Sequence, residues 1–542
     1  MAGAGVDEPL SSAGHRRKLA RSTAAFAAAT AGSRVAGLAR EIVVRKYFGV
    51  SGPGINAFTV AFAVPNLVRS LVADQALSGA FVPVFSELLA KGERARAWRV
   101  ASSIFFLLAL GLSALVAICM LLAPLIVRPF GLEGDSADLA VSLSRILFPT
   151  VVLLGLSGVI VGVLNSYEQF SVPALAPIAW NLVIVLGVVI GVPFADTTTA
   201  EVEIYAFAVL IATVVQVLLP VPWFMRLDGR LRPLLDWRDP AVRRVFVLMV
   251  PVAIGLGLIN FNLLVDLFFA ARFIDPDLAP ASIDAAFRLY MLPQGIFSVA
   301  VATVLFPAMS RLAAVQDYDG FREWVSLGVR SVAFLLIPAG AVSAVLALPI
   351  TRLVYERGEF RPEDTAIVGA ALAAYSLGLV FNGAMLMLNR AFFSLQHPWT
   401  PTAVAGGNLF LNGVLDWALY PLGIWAIPLA TSLVNIAGTI ALLVLLRRRL
   451  GTFDIPGIVR SCVRIVLASA IATGVAYGVW RGFDGSLGRS LGAQVVSVGL
   501  ALVAAACAYI VAANALRVSE LRALLTLVGR FGRRTGRGRR PA

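Results

Sequence analysis

The sequence predicts an all-α polytopic membrane protein of about fourteen spans. Three observations carry that expectation. Of the 542 residues 59% are hydrophobic and only 14% charged, with a mean hydropathy of +0.86, far from the balance of a water-soluble chain. The apolar runs are each about 20 residues long, enough for a helix to cross roughly 30 Å of hydrocarbon. Basic and acidic connections alternate along the chain, as they do when successive loops lie on opposite faces of a membrane.

The spans follow from the charged and Pro/Gly-rich breaks. Span one (22–46) follows the basic stretch "HRRKLAR", and span two (55–76) contains "VPNLVRSL". Span three (98–124) leaves the basic loop "KGERARAWR", and span four (140–164) follows the acidic "GLEGDSAD". Spans five (170–193) and six (202–225) are separated by "ADTTTAEVE". Spans seven (244–271) and eight (284–309) are separated by "DPDLAPASID". Spans nine (325–349) and ten (366–390) flank "VYERGEF", while span eleven (400–420) starts at the prolines of "HPWTP". Span twelve (424–446) stops at Arg447–Arg449, and spans thirteen (459–480) and fourteen (491–514) precede the tail "GRRTGRGRR". The first span is full-length and has no small-residue cleavage site after a short apolar core, so a secretory signal peptide is not expected.

Orientation comes from Lys and Arg. The N-terminal tail, "KGERARAWR", the loop from Arg226 to Arg244, Arg447–Arg449 and the C-terminal tail share one side if the count is even. That side holds roughly thirty basic residues against about ten on the other, which places both termini in the cytoplasm. The net charge of +14 is then topology plus attraction to anionic lipid heads, and nucleic acid is not an expected partner. Cys119, Cys462 and Cys507 lie unpaired in apolar spans and read as packing residues. His15 and His397 lie in a tail and a loop, so a histidine-based catalytic or zinc centre is not expected; no nucleophile, base and metal constellation suggests an enzyme.

Two phrases recur six spans apart. "VPNLVRSL" and "FVPVFSEL" around span two match "LPQGIFSV" and "LFPAMSRL" around span eight, and "LNSYEQFSVPALAP" matches "LNRAFFSLQHPWTP" from its Leu-Asn onward. Repetition in order predicts two similar six-helix bundles in parallel orientation, with a cavity between two halves that rock against each other. Generic helix-capping prolines are the competing explanation. The expected organisation is a basic tail (1–21), an N-terminal bundle (22–226), a C-terminal bundle (227–450), two added spans (451–514) and a basic cytoplasmic tail (515–542).

Charges inside spans point to the function. Burying one costs at least about 2.5–3.5 kcal/mol on insertion scales, so it faces a watery cavity or a partner. Arg34, Arg40, Arg69 and Asp74 in the first two spans, with Arg288 in span eight, form the main set. Snorkelling is the alternative for Arg69, near a span end. Arg34 lies mid-span between Gly32 and Gly37. Clustered guanidiniums with few acids suit phosphate or pyrophosphate, held bidentately, on an amphiphile whose tail the apolar bundle could accommodate. In the second bundle Asn262 and Asp266, and likewise Asn412 and Asp416, are four apart on one helix face. Together with the Thr431 hydroxyl they offer oxygen ligands for an alkali cation or a proton relay; private interhelical hydrogen bonds are the alternative.

The phrases "SRVAGLARE", "AFAVPNLVRSL", "FVPVFSEL", "LNSYEQFSVPALAP", "RLYMLPQGIF" and "VYERGEF" resemble, in order, motifs of the MurJ/MviN family of lipid II flippases. That family lies within the multidrug/oligosaccharidyl-lipid/polysaccharide exporter superfamily. The resemblance runs from about residue 25 to 450 and is looser beyond. It implies a V-shaped fourteen-helix flippase that moves an undecaprenyl-pyrophosphate-linked peptidoglycan precursor from inner to outer leaflet, with cavity arginines matching Arg34, Arg40, Arg69 and Arg288 on the pyrophosphate. It also implies a sodium site resembling Asp266, Asn412, Asp416 and Thr431. No cofactor is required beyond that ion. Expected partners are lipid II, membrane lipids and cell-wall synthesis proteins, around a monomer. Three departures stand out: Asn56 occupies a substrate-side position where members often carry an acid, Phe287 precedes Arg288 in place of an acid, and Met291 replaces a Glu. Their loss predicts a more positive cavity. The rival functions are an exporter of another polyprenyl-linked glycan, and a non-transporting scaffold for cell-wall enzymes, which the short tail after residue 515 disfavours.

Overall fold

The computed structural model describes residues 29, 32–72, 75–451 and 455–521, and every regular element among them is helical. In chain order these are α1 (32–48), α2 (Pro53–Val72), α3 (Gln75–Ala90), α4 (Arg94–Leu121), α5 (Ala123–Val127), α6 (Asp135–Leu147) and α7 (Pro149–Ser166). They continue as α8 (Ser171–Gly191), α9 (Thr198–Leu218), α10 (Val221–Phe224), α11 (Pro240–Phe269), α12 (Ala279–Ala314) and α13 (Tyr318–Val345). The last seven are α14 (Ala347–Tyr355), α15 (Pro362–Leu377), α16 (Leu379–Ser394), α17 (Trp399–Leu419), α18 (Ala426–Leu450), α19 (Ile455–Leu487) and α20 (Leu491–Ala515). Asp74 and His15 lie outside the described residues.

Among the described residues nine helical segments are long and apolar enough to cross a membrane, ten if the bent pair α15–α16 is one span. The four other expected spans fall on α1, α2, α12 and α17, so a count of fourteen is consistent with the structure. The protein is an all-helical, multi-pass membrane protein. Span four divides at Phe148–Pro149, because the Pro ring cannot donate to the helix ladder, and span ten bends by 44° at Gly378. The 16-residue helix α3, with Pro83 inside it, was not among the expected spans.

The chain divides into two compact units: unit 1 holds Met1–Tyr47 and Val60–Asn260, unit 2 holds Phe48–Thr59 and Phe261–Ala542. In unit 1 the packing of α3, α4 and α7 centres on Phe81, Phe85, Trp98 and Ile104, with Phe81 and Phe85 stacked at 5.2 Å. The segment after α10 folds back on this core. Leu227 and Leu231 pack inward, Ser102 Oγ accepts the Arg232 backbone N–H at 3.0 Å, and Asp228 receives hydrogen bonds from Trp98 and Tyr167. Burial and the Asp228 contact push the Tyr167 hydroxyl up to about 12.

In unit 2, α12 packs against α13, α15 and α16, and the α19–α20 pair packs on α13. The segment Phe48–Thr59, from the end of α1 into α2, belongs to this unit. Gly49 takes φ +59° there, and a Cβ would lie 2.7 Å from the Glu359 carbonyl oxygen, so glycine is required twice over. Cys119 and Cys462 pack against the cores as expected; Cys507 is exposed.

The repeated "LN" phrases end in the same turn, in a shifted register. Glu168 after α7 and Gln396 after α16 both adopt positive φ, 60° and 58°. The next N–H closes a bond five residues back, Gln169 to the Leu164 carbonyl at 2.9 Å and His397 to the Phe392 carbonyl at 3.0 Å. Geometry therefore pairs Leu164 with Phe392, one helical turn beyond the Leu388 chosen by the Leu-Asn match. In this register Pro173 and Pro401, near the starts of α8 and α17, coincide.

Candidate functional site

The arginines sit in three distinct environments. Arg34 on α1 is exposed. Arg40, two turns on, is 9% exposed, with its guanidinium 4.8 Å above the Trp180 ring on α8 and an ion pair to Glu41. Glu41 also faces Arg45 at 4.0 Å, and both are buried. Small residues permit the close approach of α1 and α8: a Cβ on Gly32 would lie 3.3 Å from Ile178. Arg69 on α2 directs Nη2 to the Asn66 side-chain oxygen at 2.7 Å, one turn back. These belong to unit 1.

In unit 2, Arg288 on α12 pairs with Asp284 at i−4, Nη2 to Oδ1 at 3.1 Å, and its side chain remains 40% exposed. Thus an acid does accompany Arg288, one turn earlier rather than at position 287. Glu41 and Asp284 are the residues that sequence reasoning missed, and the i,i+4 spacing to Arg45 and Arg288 was the available signal. The expectation of arginines with few acids to neutralise them holds for neither Arg40 nor Arg288.

Asn56 is fully buried in unit 2. Its amide nitrogen donates toward the carbonyls of Val50 (2.9 Å), Gly52 (2.9 Å) and Asp277 (2.5 Å), and its oxygen accepts the Ala281 N–H at 2.8 Å. In this geometry no polar atom of Asn56 is left for a ligand. It instead fastens the turn 49–52 and the start of α2 to the first turn of α12. Desolvation, with the neighbouring Asp275 charge, raises the Asp277 carboxyl in the same turn.

The four candidate ion ligands do converge within unit 2. Asn412 Nδ2 on α17 donates to Asp266 Oδ1 on α11 at 2.5 Å and to Asp416 Oδ2 at 2.9 Å, and Thr431 Oγ1 on α18 donates to Asp266 Oδ2 at 3.0 Å. Asp266, Asn412 and Asp416 are at most 2% exposed. Two carboxylates buried together need compensation beyond one amide and one hydroxyl. Asn412 Oδ1 and Asp416 Oδ1 are both buried and have no hydrogen-bond partner among the described residues. Two orphaned hard oxygens inside an otherwise satisfied set fit a monovalent cation. Asn262, one turn before Asp266, is partly exposed.

Helices of this length, packed as two units, with buried ionic groups inside spans, define a polytopic membrane transporter. The fold agrees with two solved structures: a lipid II flippase MurJ in an inward closed conformation (TM-score 0.75, 24% identity, 91% of this chain and 99% of that one), and an inward-facing multidrug resistance MATE family transporter of the MOP superfamily (TM-score 0.67, 15% identity, 77% and 94%). The profile of the family described as lipid II flippase MurJ matches residues 44–492. The lipid II flippase MurJ of Burkholderia cenocepacia is 30% identical over 83% of this chain and 88% of its own length. A probable lipid II flippase MurJ of Rhizobium meliloti is 31% identical over 90% of this chain and 92% of its own. The chain belongs to the lipid II flippase MurJ family.

Proposed function

We propose that this protein moves lipid II, a polyprenyl-pyrophosphate-linked peptidoglycan precursor, from the inner to the outer leaflet of a bacterial plasma membrane by alternating access, with both termini cytoplasmic. The observation that carries the reading is the family match across residues 44–492. The chemistry of the exposed cations supports it. Arg34 and Arg288 keep guanidinium surface open to a ligand, and guanidinium binds pyrophosphate oxygens bidentately. Arg40, committed to Glu41 and Trp180, holds α1 against α8 and does not offer its charge to the ligand.

The coupling ion in this reading is sodium, held by Asp266, Asn412, Asp416 and Thr431. When bound it supplies positive charge that neutralises the two carboxylates. It shifts the balance of conformations only by its difference in affinity between them. The deciding experiment is depletion of the protein in cells with lipid II followed leaflet by leaflet. Accumulation in the inner leaflet is expected, and undiminished appearance in the outer leaflet overturns the assignment.

A further inference from the structure

In unit 2 a continuous set of contacts joins the acid–amide site to the helix that carries Arg288, and it runs through the break in span ten. Thr431 and Ser432 are consecutive on α18 and do two different jobs. Thr431 donates to Asp266 at 3.0 Å, while Ser432 donates to the carbonyl of Ala374 at 2.7 Å and to that of Tyr375 at 3.3 Å. Those carbonyls are in the last turn of α15, just before the 44° bend; Ser432 occupies the Ala374 acceptor and shares the Tyr375 carbonyl with the Gly378 N–H at 3.0 Å. Gly378 makes this possible, since a Cβ there would stand 2.7 Å from Ser432 Cα.

The Tyr375 ring continues the path. It lies fully buried within the electrostatic field of Asp266, Asp416 and Asp284. Its centroid is 5.3 Å from that of Tyr290 and 5.6 Å from that of Phe287, both on α12. Phe287 and Tyr290 flank Arg288, and Asp284 lies one turn before. Among the described residues the buried hydroxyls of Tyr290 and Tyr375 close no hydrogen bond. Buried tyrosines normally satisfy that group, so the pair is not packed as an ordinary core contact.

We infer that Tyr375 is the positioning residue that couples the ion site to the Arg288 headgroup contact, with Ser432 as its tether at the span-ten break. The inference rests on the proposed sodium-coupled flippase reading and names how the two sites communicate. Asp266, Asp416 and Thr431 would hold the cation, and their closing together would move α18 at Thr431, hence Ser432 and the last turn of α15. The Tyr375 ring then bears on Tyr290 and Phe287 and re-aims α12 beside Arg288. Close-packed rings transmit such a displacement because they have no void to absorb it. Neither Tyr375 nor Ser432 touches the cargo or supplies a ligand to the ion in this scheme.

The test uses the full-length protein in detergent, with farnesyl pyrophosphate as the probe and choline replacing sodium at constant ionic strength. Two quantities are measured: the sodium-induced gain in thermal stability, and the ratio of probe affinities with and without sodium. In the wild type the ratio is expected to be about fivefold or more. Tyr375→Leu and Ser432→Ala are expected to bring it close to one while each protein keeps its sodium-induced stability gain and its sodium-free probe affinity. Tyr375→Phe, which keeps the ring, is expected to retain the wild-type ratio. A wild-type ratio retained in Tyr375→Leu overturns the inference; should that variant not fold, the same ratio retained in Ser432→Ala overturns it. A wild type stabilised by sodium whose probe affinity ignores sodium also overturns it while leaving the ion site standing. A wild type that ignores sodium in both measurements instead removes the underlying reading.

Discussion

Asn56 Oδ1 accepts the backbone N–H of Ala281 at 2.8 Å, so a side chain on α2 caps the first turn of α12 from 225 residues away. Its amide nitrogen at the same time serves three carbonyls of the loop and turn. Replacement by Ala takes the Asn56 partner from the Ala281 N–H and the Val50 carbonyl, at about 1–3 kcal/mol for each group left unsatisfied, while the Asp277 carbonyl keeps the Gly52 N–H at 2.8 Å. Asn56→Asp keeps the acceptor for Ala281 but sets a carboxylate against the carbonyls of Val50, Gly52 and Asp277. Both variants should melt well below wild type in detergent, with Asp no better than Ala. A melting temperature within error of wild type for either would show that the cap does not hold α12.

Arg34 and Arg40, six residues apart on α1, should fail in different ways. Arg34→Ala removes an exposed charge and should leave melting temperature and membrane abundance unchanged while abolishing growth as the sole copy; Lys should rescue only in part. Arg40→Ala leaves Glu41 with the longer Arg45 pair at 4.0 Å and empties the face of Trp180, so it should lose stability, by less than the about 3–5 kcal/mol of a buried charge left without any partner. The comparison is thermal melting alongside complementation. Equal stability of the two variants would contradict the division of roles.

Arg288→Ala should also abolish complementation without loss of protein from the membrane, through the loss of a charge-assisted contact worth about 1.5–3 kcal/mol. Asp284→Asn leaves Arg288 in place without its carboxylate and should tighten binding of a pyrophosphate lipid, because the guanidinium no longer shares its donors. Weaker binding in Asp284→Asn would mean that the acid orients Arg288 rather than competing for it.

What could be read from the sequence was whatever repeats or costs free energy over many residues. Apolar runs of span length and the Lys/Arg asymmetry gave the helical membrane fold, and the i,i+4 pairs led to Asp266, Asn412 and Asp416, which tertiary packing then brings onto one buried site. Single contacts across long sequence separations were not legible. Asn56 looks like a lost acid in the sequence and proves to be a backbone cap, because its partners Asp277 and Ala281 are more than two hundred residues away. The four-residue error in the second repeat has a similar cause. Leu-Asn is a side-chain coincidence, whereas the conserved geometry is the positive φ at Glu168 and Gln396, residues whose identities do not advertise it.

Asp277 offers a pH-dependent readout away from the spans. Its carboxyl is raised by desolvation and by Asp275, so the folded protein binds this proton more tightly than the unfolded chain. The stability associated with that proton is fully present below the unfolded value and is lost as pH rises through the folded one. Asp277→Asn, which keeps the carbonyl used by Asn56 and removes the charge, should therefore raise the melting temperature slightly at pH 7. The gain should vanish as pH falls below the ordinary carboxylate range. A gain that is the same at pH 7 and pH 3.5 would assign the effect to something other than the charge.

Asp266 and Asp416 give the sharpest test of the coupling ion. The protein in detergent is titrated with sodium at constant ionic strength, balanced by choline, and its thermal stability followed. Ligand binding to the folded state stabilises by RT ln(1 + [L]/Kd), so sodium at about a hundred times Kd should add about 2.7 kcal/mol. Asp416→Asn leaves the Asn412 amide with Asp266 as its ionic partner and relieves the repulsion between two buried carboxylates. It should melt at or above wild type in choline and lose the sodium response. Asp266→Asn should lose the response too, with a lower baseline, because the Asn412 and Thr431 donors both converge on that carboxylate. Pyrophosphate-lipid affinity measured in choline should be unchanged in Asp416→Asn, since the substitution lies outside the arginine set. Identical sodium curves for wild type and both variants would remove the ion from this site, and would leave the two carboxylates with a proton as the remaining way to offset their repulsion.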